Sequence, residues 1–174
     1  KPDRRQRQMC IRDRFGCGDI RIATQSSCIG MAGPAMIEGG GLGLHKPNDI
    51  GPSDIHFENG VIDLLAEDES QATELAKKCL SFTQGDVTDF EFSDQSVLRD
   101  IMPLNRQQTY DVRKIAQILV DADSFLELTS GFGKTIMTAF ARIEGRPCGL
   151  LASDCQSLGG AIDSDGASKA ARFF

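Results

Sequence analysis

Two glycine-rich turns hold the residues best suited to chemistry in this 174-residue chain. The first runs from Ser26 through Cys28-Ile29-Gly30-Met31-Ala32-Gly33 to Gly43, behind the short apolar run at residues 20–24; the second is Gly159-Gly160-Ala161. Glycine lets a backbone come close to a ligand, so such turns can aim main-chain N–H groups at an anion or at a carbonyl oxygen gathering charge. Chemistry there is carried by the peptide backbone. The competing account is that turns collect glycine for steric reasons and bind nothing, and spacing alone leaves both open.

Other chemistries fit less well. Cys10, Cys17, Cys28, Cys79, Cys148 and Cys155 form no CxxC pair, and His45 and His56 stand apart from them in sequence, so free thiols are expected and no metal site. No local signature marks a Cys/His nucleophilic pair. Gly131-Phe132-Gly133-Lys134-Thr135 contains the GKT of a phosphate loop, but Leu128 stands where the first glycine belongs and a β-prone run follows, so ATP binding is not expected. The run 39–43 misses the dinucleotide pattern at Leu44. Asp163 and Asp165 resemble the start of a calcium loop whose remaining ligands are missing, and helix capping accounts for them better. A net charge of −6, with basic and acidic residues interleaved, argues against a nucleic-acid surface. No apolar run reaches the roughly 18–20 residues of a membrane span and no signal segment opens the chain, so a cytoplasmic protein is expected.

Residues 1–14 are arginine-rich without apolar periodicity, and read either as a disordered basic arm or, preferably, as translated adapter read-through; both set them aside. Residues 20–24 then read as a strand, and 33–43 as a ligand-facing turn with a short helix. The β-prone runs 54–57 and 61–65 around Asn59-Gly60 predict a hairpin. Ala72, Leu75, Ala76, Cys79 and Leu80 share one helical face over 68–82, with acids at its start and lysines near its end. Residues 86–105 are polar and weakly periodic, as a connection between domains would be. A helix over 111–120, a strand over 125–128, a β-meander over 135–143 and 147–152, and a helix from 167 behind the caps at 162–166 complete the chain.

Four stretches occurring in order carry a likeness: Ala32-Gly33-Pro34-Ala35-Met36-Ile37-Glu38-Gly39-Gly40-Gly41-Leu42-Gly43; Pro103-Leu104-Asn105-Arg106 with Tyr110-Asp111-Val112-Arg113; residues 139–147; and Gly159 to Gly166 with Lys169 to Phe173. Together they resemble the carboxyltransferase component of biotin-dependent acyl-CoA carboxylases, from about Phe15 to Phe174. The resemblance implies an α/β fold of the crotonase/ClpP-like ββα superhelix type. Residues 15–85 would end a first, acyl-CoA-side domain, 86–105 would link, and 106–174 would open a second, biotin-side domain. It implies transfer of a carboxyl group from carboxybiotin on a separate carrier to the α-carbon of an acyl-CoA, with no metal or ATP in this part. The released ureido anion would serve as base. Gly30 and Met31 would supply thioester oxyanion amides, and Ala32, Gly33, Gly159, Gly160 and Ala161 would bind substrate. Partners would be a carrier, a biotin carboxylase and further copies of the chain, with the active site at a dimer interface. The chain would be an internal fragment, inactive alone. Met31 departs from the second glycine of many relatives, and Ser153-Asp154-Cys155-Gln156 from their Asn-rich or Pro-containing turn. A biotin-dependent decarboxylase of the same fold and a non-catalytic CoA-binding or assembly module are the alternatives.

Overall fold

β1 (Ile22–Thr24) and β2 (Leu64–Ala66) pair in parallel, Ile22 opposite Leu64 and Thr24 opposite Ala66. The computed structural model in which they lie describes residues 15–30, 32–105 and 108–174, so the arm at 1–14 and Met31 fall outside the described residues. By its packing the chain divides into two units, one ending at Leu75 and one running from Ala76 to Phe174, with the divide inside helix α3 (Glu69–Ser81).

In the first unit the parallel pair requires a crossover, and this one holds α1 (Pro34–Gly39), a 3-10 turn (Pro47–Asp49) and α2 (Ser53–Glu58). Ala23, Ile62, Leu64 and Ala66 form its buried centre. Ile62 is wholly buried, a contribution of about 1.5–3 kcal/mol by transfer. The Arg21 N–H and Nε both donate to Asp63 Oδ2, at 2.8 and 3.2 Å, which joins the approaches to the two strands.

The hairpin expected over 54–65 is not there. Residues 53–58 are helical, and Asn59-Gly60 ends that helix instead of turning two strands. The Val61 N–H reaches back to His56 O (2.9 Å) and the Gly60 N–H to Phe57 O (3.4 Å), with Gly60 at φ 77°, the bonding pattern of a Schellman stop. Positive φ suits a helix end as well as a hairpin, and the β-prone pattern of so short a run could not separate them.

The second unit is built on an antiparallel meander of β3 (Leu126–Leu128), β4 (Ile136–Ile143) and β5 (Arg146–Ser153), as the sequence predicts. The central strand β4 is buried along most of its length. Glu144 (φ 51°) and Gly145 (φ 76°) form the two-residue turn between β4 and β5, and the Asp121 carboxylate accepts both of their N–H groups, at 2.9 and 2.7 Å. Within residues 86–105, the Val87 N–H donates to Gly145 O in this turn, and Glu91 O accepts the Ala122 N–H. They contain a 3-10 turn (Gln95–Val97) and α4 (Leu98–Ile101). α5 (Val112–Leu119) is capped by Asp111 and α6 (Ser164–Phe173) by Asp163. α6 lies on β4, with Phe173 and Phe140 ring centroids 5.6 Å apart.

Candidate functional site

The first glycine stretch is held from beneath by residues 50–56. The Ile29 N–H donates to Gly51 O (2.7 Å), Cys28 bridges Pro52, the Ser53 N–H donates to Ser27 O (3.1 Å) and Ser53 Oγ to Gln25 O (2.7 Å). A Cβ on Gly30 would stand 2.7 Å from Ile50 Cγ2, so backbone there packs where no side chain fits. Gly30 and Gly33 are not left-handed; the positive φ lies at Gly51 (65°), whose Cβ would run into the Ile29 carbonyl. Gly33 is the extended N-cap of α1, with Ala32 just before it. Met31, the second expected oxyanion amide, lies outside the described residues.

His56 adds a support that sequence reading missed. Its Nε2 lies 2.7 Å from Ile29 O, and because a carbonyl only accepts, Nε2 carries the proton. Ile29 C=O and Gly30 N–H are opposite edges of one trans peptide, so this bond also fixes the direction of the Gly30 N–H. Nδ1 of the same ring is buried without a hydrogen-bond partner among the described residues.

The second stretch is a left-handed turn. Leu158, Gly159 and Gly160 follow one another at φ 47°, 63° and 88°. The Gly160 N–H closes on Ser157 O (2.9 Å) and the Ala161 N–H on Leu158 O (3.2 Å), while Ser153 Oγ donates to Gly160 O (3.0 Å). The amides of Gly160 and Ala161 are therefore engaged within the turn. Gly159 faces open space where a Cβ would stand. Gly30, Ala32 and Gly33 belong to the first unit and Gly159, Gly160 and Ala161 to the second.

Beside the second turn lies a charge cluster. Arg113 makes a forked contact with Glu127 (2.8–3.1 Å) and a bond to Asp154 Oδ2 (2.5 Å), and the Asp154 carboxylate is almost wholly buried. Those hydrogen bonds, Glu127 first, hold the guanidinium's proton affinity above its ordinary value. Lys169 Nζ, also buried, donates to Phe132 O (3.1 Å), and desolvation pulls its pKa down to about 8 against the pull of Glu127 and Asp154. Among the described residues no three His, Cys, Asp or Glu side chains converge as metal ligands. Elsewhere in this unit a cavity of about 450 Å³ is lined by Lys78, Phe82, Phe90, Glu91, Asp121 and Arg142 among others, and by none of Gly159, Gly160 and Ala161. The Arg142 guanidinium donates to the carbonyls of Ser81, Gly85 and Gly145 and lies over the Phe82 ring. Lys78, Asp121 and Arg142 in its lining are engaged in holding the surrounding backbone.

Residues 16–174 match the carboxyl transferase domain family. Among characterised relatives, the methylmalonyl-CoA carboxyltransferase 12S subunit of Propionibacterium freudenreichii subsp. shermanii is 32% identical over 89% of this chain and 31% of its own length. The propionyl-CoA carboxylase beta chain of Rhodococcus erythropolis is 36% identical over 71% of this chain and 28% of its own. The chain thus spans about a third of the length of the curated relatives it matches. Of solved structures, a single-chain, multi-domain long-chain acyl-CoA carboxylase superposes with TM-score 0.90 at 46% identity, over 93% of this chain and 17% of that one. The transcarboxylase 12S hexamer with methylmalonyl-CoA bound superposes with TM-score 0.76 at 30% identity, over 91% of this chain and 33% of that one.

Proposed function

We propose that this chain, which belongs to the carboxyl transferase domain family, acts within a biotin-dependent acyl-CoA carboxylase to transfer a carboxyl group to the α-carbon of an acyl-CoA. The fold is crotonase-like. The observation that carries the reading is the 46% identity to a solved acyl-CoA carboxylase over 93% of the chain, at TM-score 0.90.

Biotin on a separate carrier supplies the carboxyl group when bound. The residues here fit a backbone-dominated role. The Gly30 N–H, its peptide fixed through Ile29 O by His56, meets the thioester oxygen as charge develops there, with the Met31 amide as second donor. Removing one such donor costs roughly 2.7–4 kcal/mol of transition-state stabilisation. Ala32 and Gly33 continue that surface on the acyl-CoA side, within residues 15–85. Residues 86–105 connect to the biotin side at 106–174. There Gly159, open where a Cβ would stand, lets a flat ring approach the backbone. Because the Gly160 and Ala161 amides close their own turn, that contact is one of shape. The protein acts in the cytoplasm as a homo-oligomer, with its carrier and a biotin carboxylase as partners.

The test is the partial reaction run in reverse. Full-length protein carrying this chain, mixed with a carboxyl-labelled carboxyacyl-CoA and free biotin, transfers label to biotin. A purified, folded protein that moves no label refutes the proposal.

A further inference from the structure

The Gly-Lys-Thr run that resembles a phosphate loop serves a different purpose. Thr135, at 2% exposure, lies just before β4 and touches both ends of the loop that carries the left-handed turn. Its carbonyl accepts the Asp154 N–H (2.8 Å), one residue past β5. Its hydroxyl donates to Asp163 Oδ1 (2.8 Å), the cap of α6. The chain between those two points contains Leu158, Gly159 and Gly160.

Two glycines make this contact possible. A Cβ on Gly133 would stand 2.8 Å from Asp165 O, and one on Gly166 would collide with the Thr135 hydroxyl. At Gly133 the run meets the start of α6 backbone to backbone, and at Gly166 the α6 backbone meets the Thr135 side chain, which accounts for both glycine positions without a nucleotide. A left-handed leucine persists only where its surroundings over-determine it, and Leu158, largely exposed, draws little such support from packing. The restraint comes from the turn's own bonds, from Ser153 Oγ on Gly160 O, and from where the two ends of the loop are anchored.

We propose that Thr135 is a positioning residue for the carboxyl transfer, its carbonyl and hydroxyl fastening both ends of residues 154–163 so that the Gly159–Ala161 turn is presented in one conformation. This rests on the reading that the turn meets the biotin-side substrate. Arg113 holds the Asp154 side chain independently, and the Gly166 N–H still caps onto Asp163 without the hydroxyl. Replacing Thr135 with valine therefore removes one tie and leaves the helix and strand in place.

The experiment compares T135V and T135S with wild type in the full-length enzyme. It measures deuterium uptake over residues 155–162, and transfer kinetics with the biotin substrate and the acyl-CoA varied separately. A charge-assisted hydrogen bond predicts that T135V speeds exchange in that loop by on the order of tenfold. The same variant lowers kcat/KM for the biotin substrate by a similar factor and leaves KM for acyl-CoA unchanged, while T135S, which keeps the hydroxyl, restores both. Unchanged exchange in T135V, or a T135S as loose as T135V, overturns the clasp. Faster exchange with unaltered kinetics overturns instead the assignment of the turn to substrate, and the positioning role with it.

Discussion

Replacing Lys169 with methionine turns the buried charge cluster into a measurement. The side chain is 5% exposed, its amine donates to Phe132 O, and Arg113, Glu127 and Asp154 act on it electrostatically. Desolvation dominates and lowers its pKa from 10.5 to about 8. The unfolded chain holds this proton up to about pH 10.5 and the folded chain only to about pH 8. Between those values the unfolded state binds more protons, so this group's contribution to stability rises with pH and levels off above 10.5. The gap is worth about 3 kcal/mol at 1.36 kcal/mol per pKa unit, and about 2 kcal/mol after allowing for residual solvent screening. Urea denaturation of wild type and K169M at fixed pH between 7 and 10.5 reads it, and the difference cancels titrations common to both proteins. We expect wild type to gain about 2 kcal/mol on K169M across that range. A difference that stays flat, or that moves the other way, refutes the assignment of a strained buried ammonium.

Three further outcomes follow from the geometry. G30A drives a Cβ against Ile50 Cγ2 and costs about 1–3 kcal/mol as overpacking; thermal unfolding of G30A, I50A and the pair should give a double-mutant cost below the sum. H56F leaves the Ile29 carbonyl without its donor, a loss of about 1–3 kcal/mol, whereas H56Q keeps an N–H in reach; unfolding free energies should rank wild type, H56Q, H56F, and equal values for the two variants would count against the bond. R113K gives up the forked contact with Glu127 and should lower stability by about 1–3 kcal/mol, read by chemical denaturation, because an ammonium cannot span Glu127 and Asp154 with the same set of donors.

What could be read in advance was what local pattern controls. α3, α5, the meander and the Asp163 cap follow from periodicity, charge placement and capping chemistry, all properties of neighbouring residues. Residues 53–58 were misread because a six-residue helix gives too little periodicity to outweigh β-prone Ile55 and Phe57, and because a glycine at positive φ ends helices as readily as it turns hairpins. The supports of both glycine turns were invisible for a different reason. His56 reaches Ile29 across 27 residues, Arg113 reaches Asp154 across 41, and Thr135 reaches Asp163 across 28. Such pairings exist only in the fold. At Gly30 the sequence suggested close approach of backbone to a ligand, and the fold adds a second requirement, the space taken by Ile50, which lies 20 residues on.

The most direct test is forward transfer. Full-length protein carrying this chain, given its biotin carrier loaded with labelled carboxyl and an acyl-CoA, should place the label on the acyl-CoA without added ATP. Label remaining on the carrier, in a folded and oligomeric protein, would contradict the account.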